Sequence, residues 1–438
     1  MDTSDGPSVP DTSIPRFTVD LSMPPESRYD HIIAEFRDAL DDCNLTEVFH
    51  DLLEILCGRT LGKVLAFASR LVFSRLQSAE ESAELVGISK ATSIPMHILV
   101  AYNVILDVLL GCTSGGARVV DPPAEGAELS TRMLHFRTLD WGMDELRKII
   151  VELDYVRSPG GPVVATTVGY LGYVGVLTGV RKGLSMSLNF RPYHSRDSLK
   201  QRLSFRWHQA MVILGRRQSI SSVLREILLR ETSAQKDGEE KESDKTTKDT
   251  ESENRNHEVD IYGVIATRTT SSSSAAYLIF CTPDRVYIIE QDHRSAITRQ
   301  SDTILAAYNH DGSDEVDPQP LQQVVAEAEQ AKAEDSTAED ATGMTEIVKF
   351  SLSRKAAVDK LWRKRVRKCR RRFKTREEAV MFDDVVDFLK DEDINNDETH
   401  YAVIMDPKEG TVIWREGYEL ASGWSGTDTD TADEVIED

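Results

Sequence analysis

The segment Gly111-Cys112-Thr113-Ser114 closes an apolar stretch that begins near Met96. A cysteine at a chain N-terminus is a self-contained catalyst. Its thiol is the nucleophile and its own α-amine, with a pKa of about 8, is the base. An internal cysteine reaches that state only if its thiol first attacks the preceding peptide bond. Gly111 suits such an attack, because it has no Cβ in the way and tolerates unusual dihedrals. A lone cysteine is otherwise most often a small buried hydrophobe, and Cys112 alone does not decide between the two.

Four further groups could complete the chemistry. Arg137 and Asp140 lie in Arg137-Thr138-Leu139-Asp140-Trp141-Gly142, a strand running into a turn. An arginine beside a thiol lowers its pKa and can neutralise an oxyanion, and a carboxylate can orient an amine. The same pair could equally be a surface salt bridge of little worth. Gly172, Gly175 and Gly179, with Tyr173 and Thr178, form a small-residue strand and turn. Such glycines mark the close approach of a ligand or another backbone, or else a tight hairpin. No Gly-Lys-Ser/Thr follows, so this is not a phosphate loop. Asn309 ends the strand-like run Leu305-Ala306-Ala307-Tyr308. Its amide could donate to an oxyanion, although an asparagine at a strand end more often caps a turn.

The elements that must position these groups change character at Cys112. Residues 16–21 alternate as a short strand does. From Tyr29 to about Ala79 apolar residues recur at helical spacing, and a further helix covers about Met96 to Leu109. Beyond Cys112, strand-like pieces appear at 132–139, 149–156, 163–170, 184–190, 276–281, 285–290, 303–308 and 401–406. Helical patterns lie near 198–230 and 375–390. Helices followed by strands predict an α+β fold, with a sheet whose first strand starts at Cys112. Residues 1–15 read as a disordered leader. Residues 231–258 and 311–345 read as charged insertions, and the acidic tail covers 421–438.

Lys plus Arg total 52 against 74 Asp plus Glu, a formal charge of −22. That excludes a general nucleic-acid binder, which needs a basic surface to displace counterions. The one dense basic run, Arg363 to Arg372, reads as a solvated helix face, a localisation signal or a contact for acidic lipid. Five cysteines without a CxxC pair argue against a disulfide scaffold or zinc site. The ten histidines show no metal-ligand spacing, so no metal is assigned and no cofactor is expected. The N-terminus lacks the basic and apolar regions of a secretory signal, and no run approaches the roughly 20 apolar residues of a membrane span. A cytoplasmic location is the expectation.

In this order and spacing, the motifs at Cys112, at Arg137 to Gly142 and at Gly172-Tyr173-Val174-Gly175-Val176-Leu177-Thr178-Gly179 resemble those of the acid ceramidase and N-acylethanolamine acid amidase family. Ile14 to Leu21, with Pro24-Pro25, is similar to the family's opening strand. Val286 to Glu290 and Ala402 to Asp406 are similar to later core strands.

The resemblance implies an N-terminal nucleophile hydrolase sandwich, αββα. A helical α-subunit-like region at 16–111 would precede a β-subunit-like domain at 112–420. Self-cleavage between Gly111 and Cys112 would leave an α/β heterodimer. Cys112 becomes nucleophile, Arg137 and Asp140 hold the amine and thiol, and Asn309 donates to the oxyanion. Tyr173, Gly175, Asn189 and Arg363 become substrate-side contacts. The implied substrate is an N-acyl lipid, ceramide or an N-acylethanolamine, met with peripheral membrane contact. Bile-salt and penicillin-type amides, or a non-catalytic lipid-binding or interaction role, are the alternatives. Where the family often carries Glu after the asparagine of the strand following the glycine motif, this chain has Phe190. The family is usually lysosomal.

Overall fold

The computed structural model describes residues 14–57, 59–105, 111–121, 129–192, 198–231, 260–270, 272–317, 319 and 339–419. The expected leader lies almost wholly outside these residues, as do nearly all of the 231–258 insertion and the 421–438 tail.

Period-two alternation sets the layers. After β1 (Arg16–Asp20) come helices α1 (Asp30–Glu35), α2 (Arg37–Cys43), α3 (Leu45–Cys57), α4 (Arg59–Val72), α5 (Ala79–Thr92) and α6 (Met96–Ile105). The strands that follow are β2 (Gly111–Asp121), β3 (Ser130–Asp140), β4 (Ile150–Val156), β5 (Val163–Tyr170), β6 (Thr178–Arg181) and β7 (Leu184–Phe190). Helices α7 (Leu199–Ile213), α8 (Ile220–Leu229) and α9 (Ile261–Thr270) lead to β8 (Ala276–Cys281), β9 (Val286–Gln291), β10 (Ala296–Ser301) and β11 (Ile304–Ala307). The short α10 (Gly312–Val316), the long α11 (Glu339–Phe373) and α12 (Phe382–Leu389) precede β12 (Thr399–Asp406) and β13 (Thr411–Gly417).

The larger sheet runs β1-β4-β5-β6-β7-β8-β9-β10 and the smaller β11-β2-β3-β12-β13. On β7 and β8, Met186, Leu188, Leu278 and Phe280 face the N-terminal helices and α8, sharing a core with Ile33, Leu85, Leu99 and Leu224. The opposite faces of the two sheets meet, with Tyr277 and Ile279 against Met133 and Ala307. The outer face of the smaller sheet, through Leu134, Phe136, Ala402 and Ile404, packs on Trp362 and Val366 of α11 and Phe388 of α12. The order is therefore helices, sheet, sheet, helices, the αββα sandwich of an α+β protein. Among the described residues no helix is long and apolar enough to cross a membrane.

The helical pattern at 198–230 resolves into α7 and α8, each started by a serine. Ser198 and Ser219 accept from the backbone N–H three residues on, satisfying one exposed donor of the first turn. The pattern at 375–390 forms a helix only from Phe382. Within the 311–345 segment lie α10 and the start of α11. The two sides of the helical layer are pinned by a buried ion network. Glu84 on α5 receives Arg225 of α8 at 2.6 Å and Arg28 of the entry segment at 2.8 Å.

Burial leaves four histidines neutral. It pushes His135 and His400 down to about 3, and His208 and His310 to about 4. The unfolded chain takes up these protons near pH 6.5, so it holds more of them than the folded chain below that value. The four groups therefore contribute stability that is full above about pH 6.5 and is lost as pH falls through 6.5 toward 4 and 3. A proton NMR titration is expected to show four imidazoles still neutral at pH 5. Titration of these residues near pH 6.5 would contradict the burial assigned to them.

Candidate active site

Strand β2 begins at the Gly111–Cys112 bond, and Cys112 pairs with Leu139 on β3. Cys112, Ser114, His135 and Arg137 project into the space between the sheets. Cys112 and Arg137 are fully buried. Arg137 Nη2 lies 3.3 Å from Cys112 Sγ. The guanidinium is held in place by the carbonyls of Leu188, at 2.8 Å, and Leu177.

The Cys112 backbone N–H donates to Asn309 Oδ1 at 3.2 Å. Asn309, two residues past the end of β11, also donates through Nδ2 to Phe190 O at 2.9 Å. Arg354 Nη2 donates to the same Asn309 Oδ1 at 2.8 Å, and its Nη1 pairs with Asp140 at 2.5 Å. Thr399 Oγ1 donates to the other oxygen of Asp140 at 2.9 Å. Asn189 Nδ2 donates to Cys112 O at 3.4 Å and to Ala307 O at 3.1 Å. One chain of polar contacts therefore runs from the cysteine amide through Asn309 and Arg354 to Asp140.

The charges oppose burial. Desolvation pushes the Cys112 thiol up, and Arg137 and then Arg354 pull it back against Asp140. The sequence expectation that Arg137 lowers the thiol pKa gives the right direction for that residue. The net shift is nonetheless upward, because the thiol is buried in the intact chain. Asp140 is raised as well, by burial first, with Arg354 the main opposing charge.

Cys112, Arg137, Asp140, Asn309 and Asn189 are thus brought together, and three other expected contacts are not part of the cluster. Arg363 has a side chain 73% exposed and pairs weakly with Asp359 at 3.8 Å. Arg354, nine residues earlier, is the arginine of the same helix that meets Asp140 and Asn309. Nine residues at about 100° each put 354 and 363 on opposite faces of one helix, so only one of them can face the sheet. Gly175 packs against α8, because a Cβ there would lie 2.7 Å from Ser221 Cβ and Oγ. Gly179 meets Leu228 of α8 in the same way. The close approach expected of these glycines is thus that of helix side chains. Tyr173 is buried edge-on against Tyr102 of α6, with ring centroids 5.8 Å apart. Gly175→Ala is expected to cost about 1–3 kcal/mol by overpacking α8. It should leave the KM for an acyl amide unchanged, and a raised KM at unchanged stability would put Gly175 against substrate instead.

Sequence reasoning missed Arg354, Ser351 and Thr399. Ser351 Oγ accepts from the Asn309 N–H at 2.7 Å and lies 2.6 Å from His310 Nδ1. It sits one turn before Arg354, so a single face of α11 carries both supports of Asn309. The only trace of this in the sequence is the spacing Ser351-x-x-Arg354, which puts both residues on one helix face.

Residues 12–76 match the family described as the beta subunit of N-acylethanolamine-hydrolyzing acid amidase. The acid ceramidase of Mus musculus is 27% identical over 195 residues, covering 41% of this chain and 46% of that protein. The acid ceramidase of Balaenoptera acutorostrata scammoni is 26% identical over 197 residues, with the same coverage. The chain spans about half the length of the curated relatives it matches. A solved Caenorhabditis elegans N-acylethanolamine-hydrolyzing acid amidase ortholog superposes with a TM-score of 0.39 at 18% identity, over 68% of this chain and 93% of that one. The family match at residues 12–76 and the ceramidase relatives over 41% of the chain make it similar, over those parts, to the acid ceramidase and N-acylethanolamine acid amidase family.

Proposed function

We propose that this chain is an amidohydrolase that cleaves its own Gly111–Cys112 bond and then hydrolyses N-acyl lipid amides. The observation that carries this reading is the double hold on Cys112. Arg137 stands 3.3 Å from its sulfur while Asn309 Oδ1 accepts its amide proton.

In the first step the thiol attacks the Gly111 carbonyl. A C–S bond forms, the C–N bond breaks, and the thiol proton ends on the departing nitrogen. Water then attacks the thioester, adding hydroxyl to the Gly111 carbonyl carbon and returning a proton to sulfur. The products are a carboxylate at Gly111 and a free α-amine at Cys112. Asn309 Oδ1 is already oriented toward that nitrogen, and the carboxylate of Asp140 is tied to Asn309 through Arg354.

In the second step the α-amine takes the thiol proton as the sulfur attacks an acyl amide, and passes it to the leaving amine. Arg137 neutralises the developing negative charge, and in this reading Asn309 Nδ2, which donates to Phe190 O in the intact chain, turns to the oxyanion. Water then releases the fatty acid. Cys112 is fully buried in the intact chain, so a lipid substrate reaches it only after cleavage.

The acyl lipid class is supported by the names of the relatives and by the apolar surroundings of the sulfur. Cys112 shares one core with Tyr102, Leu139, Trp141, Tyr170 and Tyr401. Fragments 1–111 and 112–438 would remain an α/β heterodimer, because β1 pairs in parallel with β4 and the N-terminal helices share the core of the larger sheet. Peripheral membrane contact is supported by exposed apolar residues on two helices, Phe67 and Leu71 on α4 and Leu203 and Trp207 on α7.

Incubation of the processed protein with ceramide, an N-acylethanolamine, a conjugated bile salt and a penicillin tests the substrate class. Fatty acid release from either of the first two, well above the others, is the expected result. Release from the bile salt or penicillin alone would overturn the lipid assignment.

A further inference from the structure

Behind Cys112 and Arg137, along the same strands, the space between the sheets is polar. Ser114 lies two residues after Cys112 and His135 two before Arg137, so each shares its neighbour's inward face. His135 is fully buried. Its Nε2 lies 3.0 Å from Ser114 Oγ and 2.9 Å from Ser187 Oγ, and its Nδ1 lies 2.9 Å from Ser185 Oγ. Ser114 Oγ and Ser187 Oγ are 2.5 Å apart, and Ser114 also reaches Phe136 O at 3.3 Å.

The next inward residue of β7 after Ser187 is Asn189, which holds Cys112 O. Between them, Leu188 O holds Arg137. Each polar group that β7 presents from Ser185 to Asn189 therefore meets β2 or β3. Further along, the facing residues turn apolar, with Met133, Ile279, Val286 and Ile288 in one cluster. The hydrogen-bonded serines and imidazole lie in the stretch that abuts the nucleophile.

Apolar contacts are non-directional, whereas hydrogen bonds fix distance and angle. Filling this space with an imidazole and three hydroxyls requires each to be paired, since an unpaired buried polar group costs roughly 1–3 kcal/mol. What the seam supplies beyond an apolar filling is geometry. Burial and the neighbouring Arg137 hold the imidazole neutral down to about pH 3, so it does not act as an acid or base in the working range.

We propose that His135 is a positioning residue. With Ser114, Ser185 and Ser187 it forms a hydrogen-bonded seam that sets the spacing and register of the two sheets at Cys112, and so aligns the Cys112 carbonyl and the Arg137 guanidinium for attack on the Gly111–Cys112 bond. This inference rests on the proposed self-cleavage. A misplacement of about 1 Å at a reacting group can cost on the order of 100-fold in rate.

The test is the full chain carrying H135L, S114A, S185A and S187A together, which removes the ring with its three hydroxyl partners and leaves only the Cys281 thiol and Phe136 O short of a contact, so that it can keep the fold. Fragment formation is followed against pH, with the thermal midpoint and the amide hydrogen exchange of Arg137, whose peptide bond is intact before and after cleavage. The expected result is a midpoint close to that of the unchanged protein and cleavage at least 10-fold slower at every pH. The pH profile should keep its shape, and exchange at Arg137 should quicken at least 10-fold. H135Q alone should recover part of the rate.

Cleavage and exchange at the unchanged rates in the fourfold variant would overturn the proposal. A displaced pH profile would also overturn it, in favour of an acid–base role. If the fourfold variant fails to fold, the double variant H135L/S187A applies the same criteria, because it removes the ring and the β7 hydroxyl that bridges it to Ser114. If the unchanged protein never cleaves itself, the proposed function fails. The exchange comparison still decides the seam, supporting it when exchange quickens and overturning it when exchange is unchanged.

Discussion

Cys112→Ala is expected to abolish both fragment formation and amide hydrolysis while leaving the fold in place. The substitution removes one sulfur from a fully buried position in the main core. The cavity left is small, with a cost at the low end of the about 1–3 kcal/mol typical of a modest core truncation. The chemistry loses its only proposed nucleophile, and the loss on removing a nucleophile is on the order of 10^4 to 10^6 in rate. Far-ultraviolet circular dichroism with fatty acid release separates the two effects. A folded alanine variant that still turns over would place the nucleophile elsewhere.

Arg354→Met is expected to destabilise the chain by about 3–5 kcal/mol and to stop processing. Asp140 is 2% exposed, and Arg354 is the largest favourable charge acting on it. Removing one partner of a buried pair strands the other, and that penalty exceeds the net worth of the pair itself. Thr399 remains as a donor to Asp140 but carries no charge. Asn309 loses the donor that fixes Oδ1 toward the Cys112 amide. The double variant R354M/D140N removes the stranded charge and is expected to recover most of the stability but none of the cleavage. Urea unfolding of the single and double variants measures the coupling. A single variant that loses less than about 1 kcal/mol would show that Asp140 does not depend on Arg354.

Much of the fold was legible because interior strands announce themselves. The pieces at 163–170, 184–190, 276–281 and 401–406 are strands, since apolar residues recur on one face of each. Their polar residues carry less information. In Leu184-Ser185-Met186-Ser187-Leu188-Asn189, alternation suggests one wet face, yet both faces are buried and the serines point into the sandwich. The edge strands β10 and β13 were not legible, because half-exposed strands at a sheet margin carry little hydrophobic signal.

At the site, residue types near Cys112 in sequence were readable, while residues that arrive from α11 were not. Arg354 lies between Ser353 and Lys355 in a polar stretch, and its contacts with Asp140, across 214 positions of chain, and with Asn309 distinguish it from its basic neighbours. His135 was equally silent, because an imidazole inside a strand of apolar residues reads as one more core side chain.

The most direct test of the account is the intact mass of the reduced protein, with N-terminal sequencing of any fragments, after incubation at acidic and at neutral pH. The account predicts fragments of 1–111 and 112–438, with cysteine as the new N-terminal residue. A chain that stays whole at every pH, and releases no fatty acid from acyl amides, would contradict it.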